Sequence, residues 1–297
     1  MDHPLFSRRD MLKGAAVAAG AAAMAGLPHL AFADDKQSNQ HMSLKGRLKH
    51  SVCRWCYNSI PLEELSERVK DIGISSIELT TPEEWPVLQR YGLTCAVGSH
   101  KEQSLTDGFN EPANHEKLIK MYVGLIDKAA DSGIPTVIVF SGNRRKITDA
   151  QGLENCAKGL QKVVRQAERR NVTVIMELLN SKYDHKDYQC DLTPWGAALV
   201  DKVGSAHFKL LYDIYHMQIM EGDVINTIRK YKDYIAHYHT GGVPGRHEIN
   251  DSQELHYPAI MRAIAETGFQ GFVAQEFIPT YDDKLKALAE GVKICDV

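Results

Sequence analysis

Four side chains in the second half of the chain have the chemistry of metal ligands. Glu177, Asp213, His239 and Glu276 each stand at the end of a short apolar or β-branched run, separated by 36, 26 and 37 residues. Carboxylate oxygens together with an imidazole nitrogen suit a divalent ion such as Mn²⁺, Mg²⁺, Co²⁺ or Zn²⁺. A single carboxylate there could equally cap a helix, and a single histidine could equally belong to the core. The regular spacing of all four favours a metal site.

The elements that must position these residues alternate along the chain. Eight short β-branched runs predict the strands Leu48–Cys53, Ser75–Leu79, Thr94–Gly98, Thr136–Phe140, Thr173–Glu177, Phe208–Asp213, Ile235–His239 and Phe272–Glu276. Stretches of helical period predict the helices Leu62–Asp71, Glu83–Tyr91, Glu116–Ser132, Leu153–Arg169, Pro194–Val203, Val224–Tyr231, Pro258–Glu266 and Asp282–Val292. This alternation predicts an α/β fold, a single (β/α)8 TIM barrel. A doubly wound open sheet is the alternative, but the chain has no glycine-rich phosphate loop.

The barrel explains why the four candidate ligands would meet. Glu177, Asp213, His239 and Glu276 end the fifth, sixth, seventh and eighth predicted strands. Side chains at the carboxyl ends of barrel strands converge at one face, where barrel enzymes have their active sites. Three buried carboxylates would repel one another unless a positive charge lay between them. We therefore expect a divalent metal ion with coordination positions left open for substrate.

Other polar residues follow the predicted strands at the same face. His100, after the third strand, and Asn180, just past the fifth, are candidate substrate contacts. Glu78 ends the second strand, where it could orient a neighbouring group, and Trp55 follows the first strand, where it could line an apolar wall. His185 lies in a polar loop that we expect to be solvated.

Residues 1–33 have the order of parts of an export signal. The run Ser7-Arg8-Arg9-Asp10-Met11-Leu12-Lys13 is a twin-arginine pattern, and a weakly apolar stretch and then Ala31-Phe32-Ala33 follow it. This order predicts a twin-arginine signal peptide, with an amphipathic or disordered tail as the alternative. We expect the twin-arginine machinery to export the chain to the periplasm or cell exterior, with residues 34–297 forming the barrel.

The composition excludes some partners. A formal net charge of −3 gives no strongly basic surface for nucleic acid or for an anionic membrane. No stretch reaches the roughly 18–20 apolar residues that span a bilayer. Cys53 and Cys56 have a CxxC spacing without a second such pair, so we expect structural roles for them and leave a disulfide open. The sequence is compatible with a homo-oligomer and does not set the number of subunits.

Two longer runs resemble the hydroxypyruvate isomerase signature. They are residues 213–223, DIYHMQIMEGD, and residues 242–248, GVPGRHE. Glu177 with Asn180, in MELLN, and Glu276, in QEF, complete the pattern. The resemblance extends over essentially the whole chain after residue 33. The wider group is the xylose isomerase-like TIM barrels, which includes the ketose 3-epimerases.

The resemblance implies roles for individual residues. The four candidate ligands match the metal ligands of the family, and Glu177 and Glu276 also match its acid/base pair. His216 and Arg246 match positions that contact substrate. The implied reaction is the isomerisation of an aldose, ketose or hydroxy-keto acid through an enediolate, or an epimerisation. His239 departs from the hydroxypyruvate isomerase pattern, which carries Gln there, and agrees with the ketose 3-epimerases.

Two other functions share part of this pattern. Endonuclease IV-like DNA-repair enzymes use the same barrel with an Asp-x-His pair after the seventh strand, where this chain reads Pro244-Gly245-Arg246-His247. A non-catalytic sugar-binding protein of the periplasm would not need two carboxylates beside a reacting carbon. We therefore expect an enzyme that is an aldose–ketose isomerase (an intramolecular oxidoreductase) or an epimerase, without a nucleic-acid partner.

Overall fold

The computed structural model describes residues 42–297, whose strands form one parallel sheet. The strands are β1 (Lys49–Cys53), β2 (Ser76–Glu78), β3 (Thr136–Val139), β4 (Thr173–Glu177), β5 (Phe208–Asp213), β6 (Ile235–Thr240) and β7 (Phe272–Gln275). Their order in the sheet is β2-β1-β7-β6-β5-β4-β3, and every neighbouring pair is parallel. Helices cover the outside of the sheet, so the strands are buried nearly throughout, as parallel strands are when both faces are packed.

The predicted strand Thr94–Gly98 occupies the place of the eighth barrel strand, but it does not form a regular ladder of backbone hydrogen bonds. Isolated parallel bridges join its ends to the segments on either side, at Ser76–Thr94, Thr80–Gly98 and Gly98–Val137. Between these bridges the backbone N–H of Ala96 donates to the Ser76 side-chain oxygen at 2.8 Å, which interrupts the backbone pattern. The bridges close the sheet between β2 and β3. The predicted (β/α)8 barrel is therefore confirmed. Its eighth segment, Thr94–Gly98, is bridged to its neighbours mainly at its two ends.

The described helices agree with the prediction to within a few residues, with one addition. They are α1 (Leu62–Asp71), α2 (Trp85–Arg90), α3 (His115–Asp131), α4 (Asp149–Arg170), α5 (Thr193–Val203), α6 (Ile214–Met220), α7 (Val224–Tyr231), α8 (Tyr257–Glu266) and α9 (Lys284–Cys295). The short helix α6 was not predicted. It begins directly after β5 because Asp213 accepts hydrogen bonds from the backbone N–H groups of Tyr215 and His216.

Three further sequence predictions concern the signal peptide, membrane spans and a possible disulfide. The signal peptide predicted for residues 1–33 lies outside the described residues. Within residues 42–297, the helices lack the length and apolar character that crossing a membrane requires. All six cysteines are buried free thiols, so Cys53 and Cys56 are not bridged in this structure.

The strand register brings polar side chains together at one end of the barrel. Glu78, Glu177 and Asp213 are the last residues of β2, β4 and β5. His239 is paired with Asp213 across the β5–β6 ladder, and Glu276 follows β7 directly. All five side chains are buried. Buried polar side chains are thus concentrated at the carboxyl end of the barrel.

Candidate metal centre and active-site cavity

Glu177, Asp213, His239 and Glu276 form one buried cluster. Each offers a ligand atom, and these four atoms all lie within 4.8 Å of one another. His239 Nδ1 is 2.7 Å from Glu276 Oε2 and 3.3 Å from Glu177 Oε1. Glu177 Oε1 is a buried oxygen without a hydrogen-bond partner among the described residues. A buried carboxylate oxygen in this state needs a cation or a donor, so the donor set fits a divalent ion.

Asp213 combines the two roles that its sequence position left open. Its Oδ1 accepts hydrogen bonds from Tyr215 N at 2.8 Å and His216 N at 3.3 Å, which caps α6. Its Oδ2 instead lies 3.0 Å from Arg246 Nη2, on the side of the cluster. One oxygen therefore fixes the side chain while the other stays available as a ligand.

Arg246 covers the cluster from the loop between β6 and α8. Its Nη2 contacts Asp213 Oδ2 and, at 2.5 Å, Glu276 Oε2. The guanidinium carbon lies 5.3 Å from the ring centroid of Trp55 and 5.2 Å from that of Tyr215. Cation–π contacts and two carboxylates thus hold this cation over the cluster.

The loop that carries Arg246 has an unusual backbone. Arg246 has a φ of 57°, in the left-handed region that side-chain-bearing residues rarely adopt. Its N–H donates to Gly242 O at 2.8 Å. A Cβ at Gly242 would lie 2.3 Å from Glu248 O, so only glycine fits there. Backbone conformations of this kind concentrate at functional sites.

A cavity of about 380 Å³ opens onto the cluster. Its lining consists of Trp55, Leu79, Gln103, Leu105, Phe140, Glu177, Leu179, His185, Arg246 and Glu276. Half of these residues are apolar, and Trp55 and Leu105 keep 38% and 37% of their surface exposed at the cavity. His185, which the sequence placed in a solvated polar loop, also lines this cavity. The sequence reading missed Gln103 and Leu105, which carry no motif.

His216 and Asn180 lie beneath the cavity rather than on its wall. Asn180 Nδ2 donates to His216 Nδ1 at 2.7 Å, which leaves the ring proton on Nε2. That Nε2 is buried, lies 3.5 Å from Asp213 Oδ2 and has no hydrogen-bond partner in the described part of the chain. Burial, with Arg246 nearby, holds the pKa of His216 well below its ordinary value. His216 is thus a neutral donor beside the cluster.

Two of the candidate substrate contacts take other places. Both polar atoms of Asn180 are engaged, since its Oδ1 accepts from the backbone N–H groups of Tyr183 and Asp184. Asn180 therefore orients His216, and the expectation of a direct contact is corrected. His100 lines a separate groove against α3, with Lys117 and Lys120 among its neighbours, and does not line the cluster's cavity. The loop after Thr94–Gly98 turns away from the cavity at His100 and reaches it only at Gln103 and Leu105.

The carboxyl groups of the cluster have pKa values that are shifted in opposite directions. Burial raises the pKa of Glu177, and the neighbouring Glu276 carboxylate raises it further. Burial likewise raises the pKa of Asp213 to about 8, against the opposing effect of Arg246. Burial also acts to raise the pKa of Glu276, but Arg246 and His239 outweigh it and keep that pKa well below its usual range. A protonatable group beside an ionised one is a common arrangement for acid/base work.

Comparison with known proteins agrees with the fold. The sequence profile of xylose isomerase-like TIM barrels matches residues 66–295. The chain belongs to this family. A putative hydroxypyruvate isomerase of Homo sapiens is 25% identical over 233 residues, which are 77% of this chain and 78% of that protein. The xylose isomerase-like barrel predicted from the sequence is thereby confirmed.

Solved structures of other proteins share this fold. AP endonuclease, family 2, from Brucella melitensis aligns with a TM-score of 0.72 and 21% identity, covering 82% of this chain and 97% of that one. D-psicose 3-epimerase from Clostridium cellulolyticum H10, crystallised with D-tagatose, aligns with a TM-score of 0.65 and 19% identity, covering 83% and 90%. At such identities the likeness establishes the architecture alone, and the chemistry must be argued from the site.

Proposed function

We propose that this chain is a metal-dependent isomerase or epimerase that moves a proton at a carbon next to the carbonyl of a sugar. The observation that carries the proposal is the pair Glu177 and Glu276, two carboxylates that line one cavity and share one imidazole. The human relative named as a putative hydroxypyruvate isomerase and the 3-epimerase of the same fold support this class of reaction.

The four clustered side chains would hold the ion. Glu177, Asp213, His239 and Glu276 offer three carboxylates and an imidazole, a mixed oxygen and nitrogen set that suits Mn²⁺, Mg²⁺, Co²⁺ or Zn²⁺. An ion there would supply Lewis-acid stabilisation of the negative charge that an enediolate carries on its oxygens. Its charge would also relieve the repulsion among the three carboxylates.

The residues of the chain divide the proton chemistry among themselves. Glu177 or Glu276 takes the proton from the carbon beside the carbonyl. Return of a proton to the adjacent carbon completes an isomerisation, and return to the opposite face of the same carbon completes an epimerisation. His216, beneath the cavity, directs its Nε2–H toward Asp213 Oδ2 at 3.5 Å and so acts on the cluster, and Arg246 faces the negative charge that develops. Nearby Trp55 holds Glu276 through a hydrogen bond of 2.7 Å from Nε1 to Oε1.

The cavity favours an uncharged ketose over a small keto acid. Arg246 is the one cationic side chain among the described residues that line it, and it is already engaged by Asp213 and Glu276. Burial lowers the pKa of His185, so this residue adds no charge near neutral pH. The apolar half of the wall suits the carbon-bound face of a sugar. A ketose of the kind that epimerases use is therefore the leading candidate substrate, and hydroxypyruvate is the second.

Solvent proton exchange tests the proposal. Metal-loaded protein in deuterium oxide is incubated with unphosphorylated ketoses and with hydroxy-keto acids, and deuterium uptake is followed by NMR. We expect uptake at a carbon next to the carbonyl of a ketose, loss of uptake on chelation, and loss in Glu177→Gln. Glu154→Gln, a change at an outer helix residue paired with Lys202, serves as the matched control. Binding of a sugar without exchange across the panel would instead identify a sugar-binding protein.

We also propose that residues 1–33 direct export through the twin-arginine machinery. Arg8 and Arg9 carry this proposal together with the small-residue cleavage pattern at Ala31 and Ala33. Replacing both arginines by lysine should leave the full-length chain in the cytoplasm of a bacterial host. Fractionation with an antibody to the barrel measures this. Export of the doubly substituted chain at the wild-type level would refute the signal assignment.

A further inference from the structure

A second carboxylate lies behind the candidate metal centre and contacts one of its ligands. Glu78, the last residue of β2, is completely buried. Its Oε1 is 2.9 Å from His239 Nε2 and 2.8 Å from His237 Nε2. Sequence reasoning gave Glu78 a role in orienting some neighbour but could not name that neighbour, which is 161 residues away.

This contact determines which nitrogen of His239 is available. An ionised carboxylate only accepts hydrogen bonds, so His239 Nε2 carries the proton that it donates to Glu78. The other ring nitrogen, Nδ1, faces Glu177 and Glu276. A histidine binds a metal through a nitrogen with a free lone pair, and the hydrogen bond at the other nitrogen fixes this choice.

His237 holds the carboxylate in turn. His237 and His239 are two residues apart on β6, so their side chains project to the same face of the strand. The two rings meet edge to face, with centroids 5.1 Å apart. Because both imidazoles donate to the same oxygen, Glu78 cannot rotate away from His239 without losing two hydrogen bonds.

We propose that Glu78, held by His237, is a positioning residue that fixes the ring and the tautomer of His239 for metal binding. This inference rests on the metal centre of the proposed function. In this structure Nδ1 also lies 2.7 Å from Glu276 Oε2, so an ion must replace a proton there. With Glu78 present the ring keeps its remaining proton on Nε2, whereas without Glu78 a neutral His239 could keep it on Nδ1, bonded to Glu276, which would block ligation.

A direct ligand role for Glu78 is the competing interpretation. Cys53, Glu78 and His239 also offer three ligand atoms within 4.8 Å of one another. The separations from Glu78 Oε1 to the two histidine nitrogens, 2.8 and 2.9 Å, are hydrogen-bond lengths. Cys53 Sγ is farther away, at 4.0 Å from Glu78 Oε1 and 3.8 Å from His239 Nε2. The geometry therefore favours a hydrogen-bonded support over a second metal site.

Metal titration of three variants tests the inference. Calorimetry measures Mn²⁺ affinity, and the absorption spectrum of bound Co²⁺ reports the ligand set. We expect Glu78→Leu to weaken Mn²⁺ binding roughly 10–100-fold, as loss of an outer partner of a ligating histidine does. Glu78→Gln should restore most of this affinity, since its amide oxygen still accepts. His237→Phe should produce a smaller loss and keeps the test available if Glu78→Leu does not fold.

The control is Glu221→Leu, which removes another carboxylate that accepts two hydrogen bonds, from Thr193, away from the cluster. It should leave Mn²⁺ affinity unchanged. Suppose that Asp213→Asn abolishes Mn²⁺ binding while folded Glu78→Leu and His237→Phe proteins keep wild-type affinity. This result would overturn the role of Glu78 and leave the proposed metal centre intact. A thiolate-to-cobalt absorption band lost in Cys53→Ser would overturn the inference in favour of direct ligation. A wild-type chain that binds no divalent ion would overturn the proposed function together with this inference.

Discussion

Trp55 Nε1 donates a hydrogen bond of 2.7 Å to Glu276 Oε1, joining the turn after β1 to the residue after β7. The other oxygen of Glu276 lies against His239 and Arg246. Each oxygen of this carboxylate therefore has a fixed partner, and the indole also forms part of the cavity wall. A rigidly held carboxylate is what proton transfer at a defined carbon requires.

Trp55→Phe keeps an aromatic wall and removes this hydrogen bond. We expect turnover to fall about tenfold, because a hydrogen bond to a charged group contributes about 1.5–3 kcal/mol. Metal affinity should change much less, since the variant leaves all four ligands in place. Trp195→Phe is the control, because Trp195 Nε1 donates to Asp149 O, away from the cavity. Steady-state kinetics with equal metal occupancy measure both variants, and unchanged turnover in Trp55→Phe would remove Trp55 from the mechanism.

Asn180→Asp tests whether His216 acts as a donor. The aspartate retains an oxygen for Tyr183 N and Asp184 N but cannot donate to His216 Nδ1. His216 would then donate from Nδ1 and present a lone pair at Nε2. We predict a loss of about tenfold or more in kcat/KM with metal affinity retained. Asn226→Asp, whose exposed side chain in α7 donates to Asp223 through Nδ2, should have wild-type kinetics.

Wild-type kcat/KM in Asn180→Asp would contradict the role given to His216. A loss of folding would not test it, so circular dichroism and metal stoichiometry accompany the kinetics. Asn180→Ser, which can still donate through its hydroxyl, should recover part of the loss.

Leu105→Lys tests the preference for uncharged substrates. Leu105 lines the cavity with 37% of its surface exposed, so a lysine there reaches the cavity without entering the core. We expect kcat/KM for a neutral ketose to fall about fivefold, in keeping with the loss of apolar contact. The ratio of hydroxypyruvate to ketose turnover should rise, because a second cation is then available to a carboxylate. Leu192→Lys, another exposed leucine outside the cavity lining, is the control.

A neutral ketose unaffected by Leu105→Lys would show that the apolar wall does not contact substrate. A wild-type protein that already prefers hydroxypyruvate over every neutral ketose would refute the substrate preference while leaving the metal centre intact.

Asp213 and Glu177 should make a contribution to the stability of the metal-free chain that declines as pH rises toward 8. Burial raises the pKa of Asp213 to about 8 and also raises that of Glu177. The folded protein then holds protons that the unfolded chain has released above about pH 4, so this contribution to the free energy of unfolding declines with pH across this window. The slope is at most about 1.4 kcal/mol per pH unit for one proton. Urea unfolding at pH 5, 6, 7 and 8 measures it.

Bound metal should cancel this decline, since the ion replaces the protons on these carboxylates. Asp213→Asn, without its ionisable group, should show a shallower dependence than the wild type in the metal-free state. Because the buried histidines contribute equally to both proteins, an identical pH dependence in the metal-free wild type and in Asp213→Asn would contradict the raised pKa of Asp213.

The sequence was sufficient for the barrel and the cluster because both follow from local regularity. The strand and helix periods predicted the elements of the barrel. Because barrel strands end at one face, the same prediction placed four residues close together: Glu177, Asp213, His239 and Glu276. The strand Thr94–Gly98 is irregular because the Ala96 N–H donates to the side chain of Ser76. The periodicity of a sequence does not reveal such a contact.

The supporting residues were harder to predict because they depend on closure of the barrel. Trp55 and Glu276 are 221 residues apart, and Glu78 and His237 are 159 apart. Such contacts arise only when the first and last strands pair, so the sequence could mark Glu78 and Trp55 but not name their partners. His100 was misplaced for a related reason, since the path of a loop depends on the side chains beneath it.

The position of a bound ion would decide whether Glu177, Asp213, His239 and Glu276 form a metal centre. Anomalous diffraction from a crystal of the chain loaded with Mn²⁺ would locate it. The account predicts one ion about 2.0–2.3 Å from oxygens of Glu177, Asp213 and Glu276 and from Nδ1 of His239, with Glu78 still bonded to Nε2. An ion bound elsewhere, or a cluster that stays free of Mn²⁺ at saturating concentration, would contradict it.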